Sequence, residues 1–298
     1  MRGNRRRPGY DPGRRCHHDL PRNGYLQPGG YIRGAEVLTK QLAAFLAALQ
    51  FLTRIRLSKR DTGATSFQES IVYFPLVGLI LGLILAGAGQ ILSSLVPVPA
   101  RAGFILFLGI FLSGGLHLDG FIDTMDGLLS GRERERVLEI MKDSRVGAHG
   151  VTAVITLLLL KFSLIFSLLS LSPGRLWLAG MPLSPFLLLM PVLARWAMVP
   201  AITCFPYARR EGLGSLFGAG QGRKALLLAT FSTMILSWLT LGYKGLILMF
   251  LIALAVWSWC SHIKGILGGL TGDTYGALAE ITEVLVLVAG LFWPWLGV

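Results

Sequence analysis

Between Ile71 and Leu95 the chain carries no charged side chain. At about 1.5 Å of rise per residue, a helix of that length crosses the ~30 Å hydrocarbon core of a bilayer. Six further runs are long enough to do the same, at roughly 102–118, 148–172, 177–204, 225–242, 244–261 and 277–297. An eighth run, "QLAAFLAALQFL" at 41–52, has only twelve residues, a length that suits an interfacial or re-entrant helix better than a span. Of the 298 residues 53% are hydrophobic and 15% charged, which leaves too little polar surface for a soluble domain of this size. The short alternating segments of a β-barrel are missing from the sequence. The expected fold is an all-α polytopic integral membrane protein, with about seven transmembrane helices plus a short N-terminal interfacial or re-entrant helix.

Loop charge sets the expected orientation. With 53–70, 119–147, 205–224 and 262–276 placed inside, the inner loops hold fourteen Lys and Arg, against three (Arg101, Arg175, Lys244) outside. The same bias keeps the N-terminal arginines inside and leaves 41–52 half-buried. Residues 1–40 read as a basic tail, rich in Pro and Gly and poor in apolar residues, for which disorder is the default. Residues 41–298 read as the membrane domain. The net charge of +12 is then membrane topology plus attraction to anionic lipid. Nucleic acid is not an expected partner, because no basic soluble module bearing aromatic residues exists. Cys16, Cys204 and Cys260 match no metal or disulfide spacing, as in a reduced compartment.

Against this background "GGLHLDGFIDTMDG" (114–127) stands out. If 119–126 is helical, Asp119, Asp123 and Asp126 fall at about 0°, 40° and −20° around the axis, on one face. Like charges so placed repel, and a cation would relieve them. Mg²⁺, which takes carboxylate oxygens together with substrate phosphates, is the natural choice. The plainer alternative is a solvated helix cap, against which counts the nearness of Asp119 to the apolar run. His117, on the opposite helical face, is a substrate-binding candidate rather than a metal ligand.

Further polar groups lie towards the same side. The alternating charges of 132–136 read as an exposed, self-paired helix. In "KDSRVG", Lys142 and Arg145 sit where a diphosphate beside a metal needs cations; they could equally be positive-inside anchors. Arg195 lies within the span at 177–204. Asp273 precedes the last span, and Glu280 and Glu283 share a face inside it. Intramembrane ionisable groups line cavities or pair, and Arg195 with Glu280 or Glu283 is one such pair. Lys161, near the middle of its span, has two options, snorkelling or a carboxylate partner. The basic, glycine-rich loop at 205–220 could approach phosphates through its N–H groups. Together these residues point to metal-assisted displacement at a phosphate ester or diphosphate on the cytoplasmic side.

The stretch "GGLHLDGFIDTMDGLLSGRERERVLEIMKDSRVGAHG" (114–150) resembles the signature of the cobalamin synthase (adenosylcobinamide-GDP ribazoletransferase) family. "FLAALQFLTRI" (45–55), "YFPLVGLILG" (73–82), "RWAMVPAITCFPYARREGLG" (195–214) and "GGLTGDTYGALAEITEVLVL" (268–287) are similar to it as well. The resemblance covers most of 41–298. It implies a multi-pass enzyme of the cell (inner or plasma) membrane, with its active site facing the cytoplasm, that transfers α-ribazole or its 5′-phosphate to adenosylcobinamide-GDP. GMP is released, adenosylcobalamin or its 5′-phosphate is formed, and Mg²⁺ is required. On these positions Asp119, Asp123 and Asp126 become the expected metal ligands, and Lys142 and Arg145 the phosphate contacts. Asp273, Glu280 and Glu283 become candidates for a second ligand group or for activating the hydroxyl, with Glu280 taken as catalytic. Asp273, Glu283, Arg195 and His117 are taken as substrate-binding. The alternatives are a CDP-alcohol phosphotransferase, whose pattern needs Ala-Arg where Asp123–Thr124 stand, and a cation carrier, which would place its acids near the bilayer midplane in matched repeats.

Overall fold

The computed structural model describes residues 29–55, 69–171, 176–178, 181–209 and 222–292. The chain divides into two compact units, 1–38 and 39–298. Residues 1–28 of the expected disordered tail, 210–220 of the glycine-rich loop and the end of the last run at 293–297 lie outside the described residues.

Helix α1 (Gly29–Leu52) is longer than the apolar run that announced it. That run marks where the helix turns inward, with Ala44, Ala48, Leu49 and Leu52 buried, and not where its hydrogen bonding starts. A 3₁₀ turn (Ser70–Tyr73) leads into α2 (Phe74–Ile91), whose Pro75 occupies the first turn, where no N–H is needed. Then follow α3 (Val98–Ser113), α4 (Leu116–Leu129), α5 (Arg134–Ile140) and α6 (Ala148–Leu171). A small antiparallel hairpin, β1 (Leu176–Leu178) with β2 (Met181–Leu183), precedes α7 (Pro185–Cys204), α8 (Gly222–Leu241), α9 (Tyr243–Leu267) and α10 (Gly272–Phe292). Among the described residues, six segments are long and apolar enough to cross a membrane, and seven if α3 and α4 are counted as one broken span. The protein is a multi-pass helical membrane protein.

Helix α7 is the hub and packs on α2, α8 and α10. It is almost wholly buried, whereas α8 and α9 present Phe231, Trp238, Phe250 and Trp257 outward, as lipid-facing helices do. Gly78 and Gly82 let α2 lie on α7 so closely that a methyl group at either would collide with the carbonyl of Pro191 or Leu188. Between helices already in lipid, such close packing supplies the attraction that apolar burial cannot.

Two further boundaries differ from the sequence expectation. The run at 102–118 does not continue as one helix. Gly114 and Gly115 adopt left-handed φ of 69° and 75°, open to glycine without penalty, and the chain turns by 90° into α4. The run at 177–204 begins with the hairpin: Pro182 lies in β2, where proline breaks helix propagation, and Pro185 opens α7.

Candidate active site

The aspartates ride on α4, which packs against α10 and α6. The contact with α10 is backbone to backbone. A Cβ on Gly120 would lie 2.8 Å from the Asp273 carbonyl oxygen, and Gly276 faces the backbone of His117. The start of α10 is held by a reciprocal cap: the Thr271 N–H donates to Thr274 Oγ1 (2.8 Å) and the Thr274 N–H to Thr271 Oγ1 (3.2 Å). Asp273 is thereby fixed in the first turn of α10, beside α4. A cavity of about 160 Å³ opens at this crossing, walled by His117, Asp119, Asp273 and Tyr275 with Phe51 and Phe74.

Asp119 is exposed and Asp123 half-buried. Asp123 lies within electrostatic reach of Asp273, Asp119 and Asp126 and of the cation Arg209. Sequence reasoning did not single out Arg209. Its guanidinium lies 2.8 Å from Asp273 Oδ2 and donates to the Met141 carbonyl at 3.4 Å. It arrives there because the segment after α7 runs beside the segment before α10. The Ala208 N–H donates to Leu270 O (2.7 Å), and the Leu270 N–H to Pro206 O (2.8 Å). The signal in the sequence was the basic loop, but only this long-range pairing selects one arginine from it.

Asp126, expected as a third ligand, has another use. Its two carboxylate oxygens accept the N–H groups of Gly147 and Gly150, each at 2.7 Å, and so cap the start of α6. Sharing a helical face fixes azimuth and not height. Seven residues separate Asp119 from Asp126, which is about 10 Å along the axis. Lys142 and Arg145 stand in the exposed loop before α6. The Arg145 guanidinium turns back on Asp143 at 2.7 Å and holds that carboxyl well below its ordinary range, at about 2.

Deeper in the bundle lies a second polar cluster. Lys161 Nζ donates to Glu280 Oε2 (2.6 Å) and Glu283 Oε2 (2.5 Å), and Arg195 Nη1 donates to Glu283 Oε1. Arg195 Nη2 lies 3.4 Å from His117 Nδ1. All five side chains are buried. A separate, mostly apolar cavity of only about 30 Å³ is walled by Lys161, Arg195, Glu280 and Glu283 with α2 and α3 side chains. Two cations balance two carboxylates, so this network is neutral as it stands. It occupies Glu280 and Glu283, the candidates for a second ligand group or for activating the hydroxyl, in ion pairs with Lys161 and Arg195.

Among the described residues, no three His, Cys, Asp or Glu close around a point as a protein-built metal cage would. The acidic end nevertheless suits Mg²⁺. Asp119, Asp123 and Asp273 lie within electrostatic reach of one another, with Arg209 paired to Asp273, and Mg²⁺ commonly takes one or two carboxylates and completes its shell with water and phosphate oxygens.

Fold and site define a multi-pass membrane enzyme with an acidic cavity at one end of its bundle. The chain belongs to the cobalamin-5-phosphate synthase family, whose model matches residues 44–291. It is 43% identical over 253 residues to an adenosylcobinamide-GDP ribazoletransferase of Desulfitobacterium hafniense (strain Y51), covering 83% of this chain and 96% of that one. Like-named proteins of Alkaliphilus metalliredigens (strain QYMF) and Desulforamulus reducens (strain ATCC BAA-1160 / DSM 100696 / MI-1) are 38% and 41% identical, over 83% and 80% of this chain and 97% and 92% of theirs. No solved structure matches the chain.

Proposed function

We propose that this protein transfers α-ribazole, or its 5′-phosphate, to adenosylcobinamide-GDP. The ribose 3′ oxygen attacks the cobinamide-side phosphorus, the bond to the GMP phosphate breaks, and the hydroxyl proton passes to a carboxylate of the site. Adenosylcobalamin or its 5′-phosphate forms and GMP leaves. The observation that carries this reading is a cavity walled by Asp119 and Asp273, with Asp123 within electrostatic reach of both and Arg209 paired to Asp273. The names of the relatives favour it over an alcohol phosphotransferase of the CDP-alcohol type or a cation carrier.

Asp119 and Asp123, with Asp273 opposite, are the residues that would hold Mg²⁺. When bound there, the ion would neutralise charge on the phosphates as the leaving group departs. Arg209 supplies a fixed guanidinium fork to a phosphate, with Lys142 and Arg145 as outer cations nearer the loop. A carboxylate of this acidic end that is not engaged with the ion or with Arg209 takes the hydroxyl proton. Asp126 holds α4 to α6 and so sets the height of Asp119 and Asp123. The excess of Lys and Arg on the loops beside this site supports a cytoplasmic orientation.

The test is GMP release by detergent-purified protein given adenosylcobinamide-GDP, α-ribazole and Mg²⁺. Release that needs all three is expected. Folded protein that yields no GMP, or GMP without ribazole, contradicts the proposal.

A further inference from the structure

The cavity where α4 crosses α10 has two unlike ends. At its mouth stand Asp119 and Leu116, both exposed, with half-buried Asp273 beside them. Its floor is apolar. Met198 and Ile202, one turn apart on α7, and the ring of Tyr275 line it and are 3%, 8% and 6% exposed. Phe51 of α1 closes one side, and its ring is stacked on that of fully buried Phe74, with centroids 6.2 Å apart. These side chains come from α1, α2, α4, α7 and α10, each packed in the bundle, so the floor is formed before anything binds. At about 160 Å³ the space admits a flat bicyclic ring and is far too small for a corrin. The acidic mouth disfavours a lipid chain, whose headgroup phosphate would lie against Asp119.

We propose that this floor receives the base of the incoming nucleoside, an apolar bicyclic heterocycle, and so selects which acceptor the enzyme takes. The inference rests on the transferase reading above and names the acceptor subsite of that reaction. A single bond joins base to ribose, so a base seated on the floor leaves its ribose at the mouth, beside Asp119 and Asp273. The other base in the reaction is the guanine of the leaving GMP. Its edge carries donors and acceptors at almost every position, and the lining offers them only the Tyr275 hydroxyl and the His117 imidazole besides the carboxylates that would hold Mg²⁺. Burying such an edge unpaired is costly. A dimethylbenzimidazole presents two methyl groups and one ring nitrogen, and loses little. Phe51, Met198, Ile202 and Tyr275 are then residues that touch the acceptor and set specificity without handling its proton.

Photolabelling of the full-length wild-type protein in detergent tests this. An azidobenzimidazole α-riboside should leave its adducts on Phe51, Met198 or Ile202, mapped by peptide mass spectrometry, and unlabelled α-ribazole should compete them away. 8-Azidoguanosine 5′-monophosphate should label elsewhere. Benzimidazole adducts outside these residues, adducts that ribazole does not displace, or guanine adducts on the floor overturn the proposal. Affinity gives a second reading. Wild type should bind α-ribazole roughly ten- to a hundredfold more tightly than the α-riboside of adenine, the discrimination an apolar pocket reaches. Ile202→Asn, which sets an amide in the floor, should raise KM for α-ribazole about tenfold and narrow its lead over the adenine riboside, with KM for adenosylcobinamide-GDP unmoved. Equal affinity for the two ribosides in wild type, or an equal rise in both KM values, also overturns it. The label is read without turnover, so protein labelled on the floor that releases no GMP would count against the transferase reading and not against the base pocket.

Discussion

Helix α10 carries two acidic clusters with opposite fates. At its first turn Asp273 joins Asp119 and Asp123 with Arg209 as the neighbouring cation. Two to three turns further on, Glu280 and Glu283 meet Lys161 and Arg195 in equal numbers. Only the first cluster is left wanting a cation, and it borders the cavity with the acidic wall. The second is complete, buried and closed. Residue type alone does not separate a site from a structural pair inside a membrane; charge balance does, together with the roomier cavity beside the acidic end.

The comparison can be broken at several points. Asp123→Asn should lower GMP release by about 10³-fold while leaving the fold intact, because it removes charge from the unbalanced cluster. Lys161→Met should do the reverse. It leaves two buried carboxylates short of a partner and should destabilise by about 3–5 kcal/mol, seen in thermal unfolding, with the remaining folded protein active. Adding Glu280→Gln to it should restore much of that loss, since the orphaned charge goes too. Arg209→Ala should reduce kcat/KM for adenosylcobinamide-GDP roughly ten- to a hundredfold, the range of a hydrogen bond to a charged group. Asp126→Ala should reduce stability by about 1–2 kcal/mol, as loss of a helix cap does, and affect turnover less than Asp123→Asn. Arg145→Ala, which removes an exposed ion pair with Asp143, should change KM only a few-fold and leave the unfolding temperature where it was.

Much of this was legible in the sequence. Bilayer-length apolar runs forced a helical membrane protein, because backbone groups in lipid must be satisfied within a helix or a closed barrel. The helical spacing of the aspartates put them on one face, as α4 bears out. The bend at Gly114–Gly115 was not foreseen, since a glycine pair permits a left-handed turn without requiring it. The fate of Asp126 was hidden for a different reason. Periodicity gives direction around an axis, while its partners, the N–H groups of Gly147 and Gly150, lie on a segment brought near only by tertiary packing. Arg209 was hidden likewise, by the pairing of Ala208 with Leu270. Lys161 was seen as an oddity within its span, and the sequence did not say that it bridges both glutamates.

The most direct test sets the two clusters against each other in one assay. Asp123→Asn and the Lys161→Met/Glu280→Gln double variant would be purified in detergent, matched for folded fraction, and compared for Mg²⁺-dependent GMP release in a single turnover. The expected result is a folded but inactive Asp123 variant beside a double variant within about tenfold of wild type. An active Asp123 variant, or a well-folded double variant that has lost turnover, would contradict the division between a reactive acidic end and a closed structural network.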